Sequence, residues 1–249
     1  MIPQILPGSA DEFRLLTDAV GGKGYRQIDI NLGCPFPMIA GKHKGAGMLL
    51  YPAQVAEVLA PIAEYPEIQF SLKMRLGWEN ASECMVLVEL LNALRLSRIA
   101  LHARTGKQQY KGHPDLEAFQ GFYELCQHPL YYNGGIESLS DIRQILIRFP
   151  LLKGVFIGRG LLSSPLLAKE FKGNETFLPE QRMSIYFAFH EELFSAYSQV
   201  LQGETQLLVK MKTLWEYFLP ETDRKLLKRI KKSTRLQQYT ESVKAIFTS

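Results

Sequence analysis

The stretch Gln27-Ile28-Asp29-Ile30-Asn31-Leu32-Gly33-Cys34-Pro35 reads as an apolar strand that runs straight into a tight turn carrying a thiol. Cysteines that serve packing sit inside apolar runs. One placed between Gly and Pro on a loop is exposed and can exchange a proton with something bound above the strand end. Outward from this stretch the same unit repeats. Short β-rich runs at residues 4–6, 27–32, 70–76, 98–102, 130–132 and 152–157 alternate with helix-like stretches such as 53–64, 83–94, 116–126 and 140–149. Strands alternating with helices imply a parallel sheet, and strands this apolar are expected to be covered on both faces. About six such units leave two architectures open, a doubly wound sheet or a (β/α)8 barrel of which this chain holds part.

Beyond Pro179 the strand signal stops. Residues 183–201, 206–219, 223–232 and 236–247 carry apolar positions three and four apart, the spacing of a small all-helical domain. Gly, Asn and Pro cluster at 172–179, which sets the expected boundary between a domain at 1–175 and a helical one at 176–249.

With 249 residues, 46% hydrophobic and 22% charged, the chain has the composition of a globular protein, and collagenous, disordered and repeat architectures are excluded. Cys34, Cys84 and Cys126 are odd in number and lack CxxC spacing, so reduced thiols in the cytoplasm are expected rather than disulfides or zinc. Cys84 and Cys126 lie in apolar helical segments and read as core. His43, His113, His128 and His190 have no metal-ligand spacing and read as surface or loop residues, so no metal is expected. No apolar stretch is long enough to span a bilayer, and the first residues do not read as the charged and apolar regions of a signal peptide, so a cytoplasmic protein is expected. The net charge of +4 is uneven: from Thr205 onward ten Lys/Arg face four acids, so this tail carries +6. A basic helical tail points to a polyanion partner or to a solvated helix face.

Polar residues gather at the strand ends. Asp29 and Asn31, Lys73 and Arg75, and His102 and Arg104 each stand two apart and so share a face, which delivers three successive strands' side chains into one mouth. The last two strands end in Asn133-Gly134-Gly135 and Gly158-Arg159-Gly160, where glycine backbone and an arginine suit a phosphate. Lys42-His43-Lys44 before Gly45-Ala46-Gly47 reads either as a solvated loop or as a mobile substrate loop, and the aromatics of residues 186–197 read as core.

The stretch 31–35, Lys73-Met74-Arg75-Leu76-Gly77, His102-Ala103-Arg104-Thr105 with Tyr110 and Gly112, Asn133-Gly134-Gly135 and Gly158-Arg159 together resemble the tRNA-dihydrouridine synthases in order and spacing. Lys210-Met211-Lys212 with Trp215, Tyr217 and Phe218 is similar to that family's helical tRNA-binding domain, although Lys212-Thr213 stands where Arg/Lys-His is common. The resemblance implies a TIM (β/α)8-type barrel followed by a small helical domain. It also implies an FMN- and NADPH-dependent oxidoreductase acting on a CH–CH group, the C5–C6 bond of uridines in tRNA. Hydride from the flavin would reach C6, and Cys34 would protonate C5. By the same matching Gln4, Lys73, His102, Asn133, Gly134, Gly135, Gly158 and Arg159 would hold FMN. Asn31, Arg75, Arg104, Lys210 and Lys212 would contact the target nucleotide or tRNA. The expected assembly is a monomer. Family members begin with two further βα units before the segment resembling Pro3-Gln4-Ile5-Leu6-Pro7-Gly8, so weak FMN binding is expected of the chain as given. The alternatives are a barrel acting on a free pyrimidine, in the manner of a dihydroorotate dehydrogenase, and a non-catalytic RNA-binding remnant.

Overall fold

The structure is a computed structural model and describes residues 1–248. Six strands, β1 (Gln4–Ile5), β2 (Gln27–Leu32), β3 (Gln69–Gly77), β4 (Leu96–Thr105), β5 (Leu130–Asn133) and β6 (Gly154–Phe156), form one sheet. Their spatial order follows the chain order, and every neighbouring pair is parallel. A doubly wound sheet reverses its order at a switch point, so strictly sequential order marks the β/α units of a TIM-type barrel.

The two faces of this sheet differ in chemistry. Ile28, Ile30 and Leu32 of β2, Phe70, Leu72 and Met74 of β3, and Ile99 and Leu101 of β4 are fully buried. The positions between them are Asp29 and Asn31, Ser71, Lys73 and Arg75, and Arg98, His102 and Arg104. Strand side chains alternate, so a one-sided apolar set puts every polar residue on the opposite face. One face packs on helices; the other is polar, and it too is covered, with Ser71, Arg75, His102 and Arg104 buried on it. Register turns that face into layers. Gln4, Asp29, Ser71 and Arg98 pair across β1 to β4; Asn31, Lys73, Ala100 and Tyr131 pair across β2 to β5; Arg75, His102, Asn133 and Phe156 pair across β3 to β6.

A helix that the sequence reading did not single out, Ala10–Gly21, covers the apolar face with Phe13, whose ring lies 5.2 Å from that of Phe70. Its start is locally encoded. Ser9 Oγ accepts the Glu12 N–H, and Glu12 reaches back to accept the Gly8 N–H, so two orphan donors of the first turn are satisfied.

The chain packs as two compact units, one of Met1–Gly135 with Asp141–Phe156, the other of Ile136–Ser140 with the chain from Ile157 onward. The helices Arg159–Ser163 and Leu167–Gly173 belong to the second unit, whereas the sequence reading kept everything to residue 175 with the barrel. The reason is packing. Leu166 joins the core of Tyr186, Met211, Trp215, Phe218, Tyr239 and Val243, and Ser164 Oγ hydrogen-bonds the Tyr186 hydroxyl at 2.7 Å. Four helices build that core: Pro179–Val200, Glu204–Leu214, Arg224–Lys232 and Leu236–Phe247. His190, expected at the surface, is 1% exposed. It can be buried because its Nε2 meets the Tyr239 hydroxyl at 2.7 Å, which in turn accepts the Trp215 indole N–H at 2.9 Å. Burial lowers the His190 pKa from its ordinary value, so the ring is held neutral. Among the described residues no helix is long and apolar enough to cross a membrane.

Candidate functional site

Cys34 follows β2 on a turn whose backbone is held at every polar group. Asn31 Oδ1 accepts the N–H groups of both Gly33 and Cys34, each at 2.9 Å, an Asx-type turn that bends the chain off the strand end. Arg75 Nε donates to the Gly33 carbonyl at 3.0 Å, and the Ala46 N–H donates to the Cys34 carbonyl at 3.0 Å. The second contact needs Gly45. Its φ of +56° is a left-handed conformation, and a Cβ there would stand 2.8 Å from the Cys34 carbonyl oxygen. The thiol itself is half-buried rather than fully exposed, and all three cysteines are free. Burial pushes the thiol of Cys84 up to about 12, as expected of a core thiol, whereas Cys126, also expected in the core, is only half-buried at the end of helix Leu116–Leu125, its pKa raised by that partial burial.

Lys73 pairs with Asn31 across β2 and β3. Burial pushes its ammonium down to about 7, the neighbouring Arg75 charge adds to the drop, and Asp29 opposes it. Arg75 is 2% exposed and its guanidinium also donates to the carbonyls of Thr105 at 2.8 Å and Gln109 at 2.7 Å. Burial lowers it to about 10, so it stays charged at neutral pH. Expected at the target nucleotide, Arg75 is here a cross-brace between the Cys34 turn and the loop after β4. Arg104 does similar work one strand on. It donates to the Gly112 carbonyl at 3.0 Å and meets His102 Nε2 at 3.2 Å. Asn133 donates to the Phe156 carbonyl at 2.7 Å, which ties β5 to β6. Gly134 sits at φ +133°, with a Cβ position 3.1 Å from the His102 ring, so the strand end has no room for a side chain there.

The sequence reading brought Gln4, Asn31, Lys73, Arg75, His102, Arg104, Asn133, Gly134 and Gly135 together, and the first unit contains all of them on or beside the polar face. Gly158 and Arg159 lie in the second unit. Lys210 is exposed, with its ammonium 5.3 Å from the Tyr197 ring centroid, whereas Lys212 turns inward to donate to the Ser233 carbonyl at the end of helix Arg224–Lys232. The reading missed Ser71, Gly45 and the carbonyls of Thr105, Gln109 and Gly112. Ser71 had a signal, being the first of three alternating polar residues on β3. The carbonyls had none.

The helix Arg224–Lys232 presents Lys225, Lys228, Arg229 and Lys232 to an open groove of about 430 Å³ that Ser233, Gln238, Glu241 and Ser242 also line. These four cations stand at i, i+3, i+4 and i+7 and so form one continuous stripe.

A TIM-type β/α sheet with a thiol on the loop after its second strand here, in a chain that also carries a basic helical unit, is the class these features define. The sequence profile of the dihydrouridine synthase (Dus) family matches residues 4–248, and the chain belongs to that family. It is 32% identical over 139 residues to a probable tRNA-dihydrouridine synthase of Rhizobium leguminosarum bv. phaseoli, covering 55% of this chain and 44% of that protein. It is 28% identical over 165 residues to tRNA-dihydrouridine synthase B of Vibrio cholerae, covering 65% and 51%. The chain thus spans about half the length of the curated relatives it matches. Among solved structures it is similar to morphinone reductase, with TM-score 0.49 at 14% identity over 70% of this chain and 51% of that one.

Proposed function

We propose that the protein reduces the C5–C6 bond of a uridine in tRNA, with FMN as cofactor, NAD(P)H as reductant and Cys34 as the acid that protonates C5. The observation that carries this reading is the Cys34 turn. Four separate hydrogen bonds hold the backbone of a thiol that lies outside the core, which is preorganisation without a packing purpose.

The residues present fit a flavin. The Lys73 ammonium has no hydrogen-bond or ion-pair partner among the described residues and suits an anionic ring, while Gly134 and Gly135, at φ +133° and +62°, offer backbone without side chains. When bound, FMN supplies the two-electron chemistry at C6. Lys73 stabilises negative charge, Cys34 delivers a proton to C5, and Arg75 keeps the Cys34 turn in place. Gln4, His102, Asn133, Gly158 and Arg159 are carried as cofactor residues, and Asn31 and Arg104 as substrate residues, by family matching. The cationic stripe of Arg224–Lys232 supports a polyanionic substrate over a free pyrimidine, and Lys210 is carried as a tRNA contact by family matching. Three free cysteines fit the reducing cytoplasm, where the protein would act as a monomer.

The test is tRNA transcript lacking modifications, incubated with the protein, FMN and NADPH, with dihydrouridine read by mass spectrometry. Cys34→Ala should lower the rate by roughly 100-fold or more, the scale of a positioned general acid, and keep tRNA binding. Equal rates for Cys34→Ala and the parent protein refute the role of Cys34, and no product from the parent refutes the function.

A further inference from the structure

We propose that Asp29, which family matching leaves without a role, is a positioning residue for Cys34 and acts on it through Gln4 and Asn31. The contacts form an unbroken relay. Ser71 Oγ donates to Asp29 Oδ1 at 2.5 Å, Gln4 Nε2 donates to Asp29 Oδ2 at 2.6 Å, and Asn31 Nδ2 donates to Gln4 Oε1 at 2.7 Å. Asn31 Oδ1 then accepts the Gly33 and Cys34 N–H groups.

The polarity of this relay is fixed from both ends. A carboxylate only accepts and a backbone N–H only donates, whereas each side-chain amide between them could face either way on its own. With Asp29 ionised, Gln4 must present its NH2 to it and its oxygen to Asn31. Asn31 must then present its NH2 to Gln4 and its oxygen to the turn. Asp29 thereby selects the one amide orientation that holds the Cys34 backbone. Register places these groups suitably: Gln4 pairs with Asp29 and Asp29 with Ser71, one layer beneath Asn31 and Lys73. An apolar residue at 29 removes the selection, because Asn31 can then turn its amide and release two N–H groups.

The inference rests on the reading of Cys34 as the reacting group only for its catalytic consequence, so the test reads the thiol directly. The rate of Cys34 alkylation by N-ethylmaleimide is followed by peptide mass spectrometry in the absence of tRNA, with circular dichroism as the folding check. Asp29→Leu should accelerate alkylation about fivefold, the scale of one net hydrogen bond lost from the turn. Gln4→Leu, at an exposed position, should do the same with little risk to folding. The double variant should be no faster than either single one, because both cut the same relay. Asp29→Asn should accelerate alkylation less than Asp29→Leu, since its amide oxygen can still accept from Gln4 although an amide no longer dictates that orientation.

Unchanged alkylation in Gln4→Leu overturns the proposal, and decides it alone if Asp29→Leu does not fold. Multiplicative acceleration in the double variant, or acceleration in Asp29→Asn equal to that in Asp29→Leu, also overturns it. In the tRNA assay Asp29→Leu should lower kcat and leave KM for tRNA unchanged. A change in KM alone would place Asp29 in substrate binding instead. If the alkylation results hold and the parent protein makes no dihydrouridine, the relay stands and the functional reading falls.

Discussion

Replacing Arg75 by Met should destabilise the first unit by about 2–4 kcal/mol, a large share of the roughly 5–15 kcal/mol that typically holds a domain together. The figure follows from what the guanidinium holds. It donates to three backbone carbonyls, Gly33, Thr105 and Gln109, and the first two of these bonds are buried. A buried acceptor left unmade costs about 1–3 kcal/mol, and the partly buried Gln109 carbonyl costs less because water can reach it. Removing the charge returns part of this, since burial, the largest cause, with the nearby Arg104 charge depresses the Arg75 pKa to about 10 despite Tyr110 and so marks an ion that is costly to desolvate. Met keeps the length and apolar stem, so cavity formation adds little. Urea unfolding at pH 7 reads the loss. The Arg75→Lys variant should keep only part of the stability, because an ammonium cannot span carbonyls from two loops as a planar fork does. A stability of Arg75→Met within about 0.5 kcal/mol of the parent, the scale of a neutral surface change, or full stability in Arg75→Lys, would refute the cross-brace and return Arg75 to the role of a substrate contact.

Three further outcomes are expected. Because the folded-state pKa of Lys73 is depressed from 10.5 to about 7, the unfolded chain binds more protons between those values, and stability should rise with pH from 7 to 10.5; Lys73→Met should remove that slope in denaturation measured across the range. His190 is likewise depressed below 6.5, so its contribution is complete above pH 6.5 and is lost as pH falls through the folded value; His190→Gln should flatten that acid limb in thermal melts. Reversing Lys228 and Lys232 to Glu should weaken tRNA binding and shrink the slope of log K against log salt by about 1–2, which titrations at several salt concentrations would measure.

The six strands were legible because each is a compact apolar run closed by a polar or glycine turn, and parallel pairing follows from the helices between them. Sidedness was legible in part: the i, i+2 pairs Asp29/Asn31, Lys73/Arg75 and His102/Arg104 mark one polar face, whereas Ser71, short and set inside the apolar run 70–76, does not stand out. The helix Ala10–Gly21 was signalled by Ser9 and Glu12, a local cap that an eye set on apolar periodicity passes over. His190 was misplaced for a different reason. The partner that makes its burial tolerable, Tyr239, is 49 residues away, and only folding brings the two together. Site residues were legible as a set, because alternation on adjacent strands fixes which side chains share a face. Their individual duties were not, because backbone carbonyls carry no sequence signature.

That distinction sorts the cations of the polar face. Arg75 and Arg104 are held by backbone carbonyls, and Arg98 lies with its guanidinium 5.8 Å from the Phe156 ring centroid. Arg75 and Arg104 are thereby committed to the protein's own carbonyls, whereas the buried Nε of Arg98 has no hydrogen-bond partner among the described residues. Lys73 differs, because among the described residues no hydrogen bond or ion pair holds it, and burial depresses its pKa to about 7. An anion placed beside it stabilises the charged form, and the gain is larger in a partly dry site than at the surface. Arg75 therefore fixes the Cys34 turn, while Lys73 is the cation of this face whose charge an anionic ligand would stabilise. A free thiol on a fixed turn and an adjustable cation thus stand on adjacent strands, the division that the proposed reaction would use to deliver a proton beside developing negative charge.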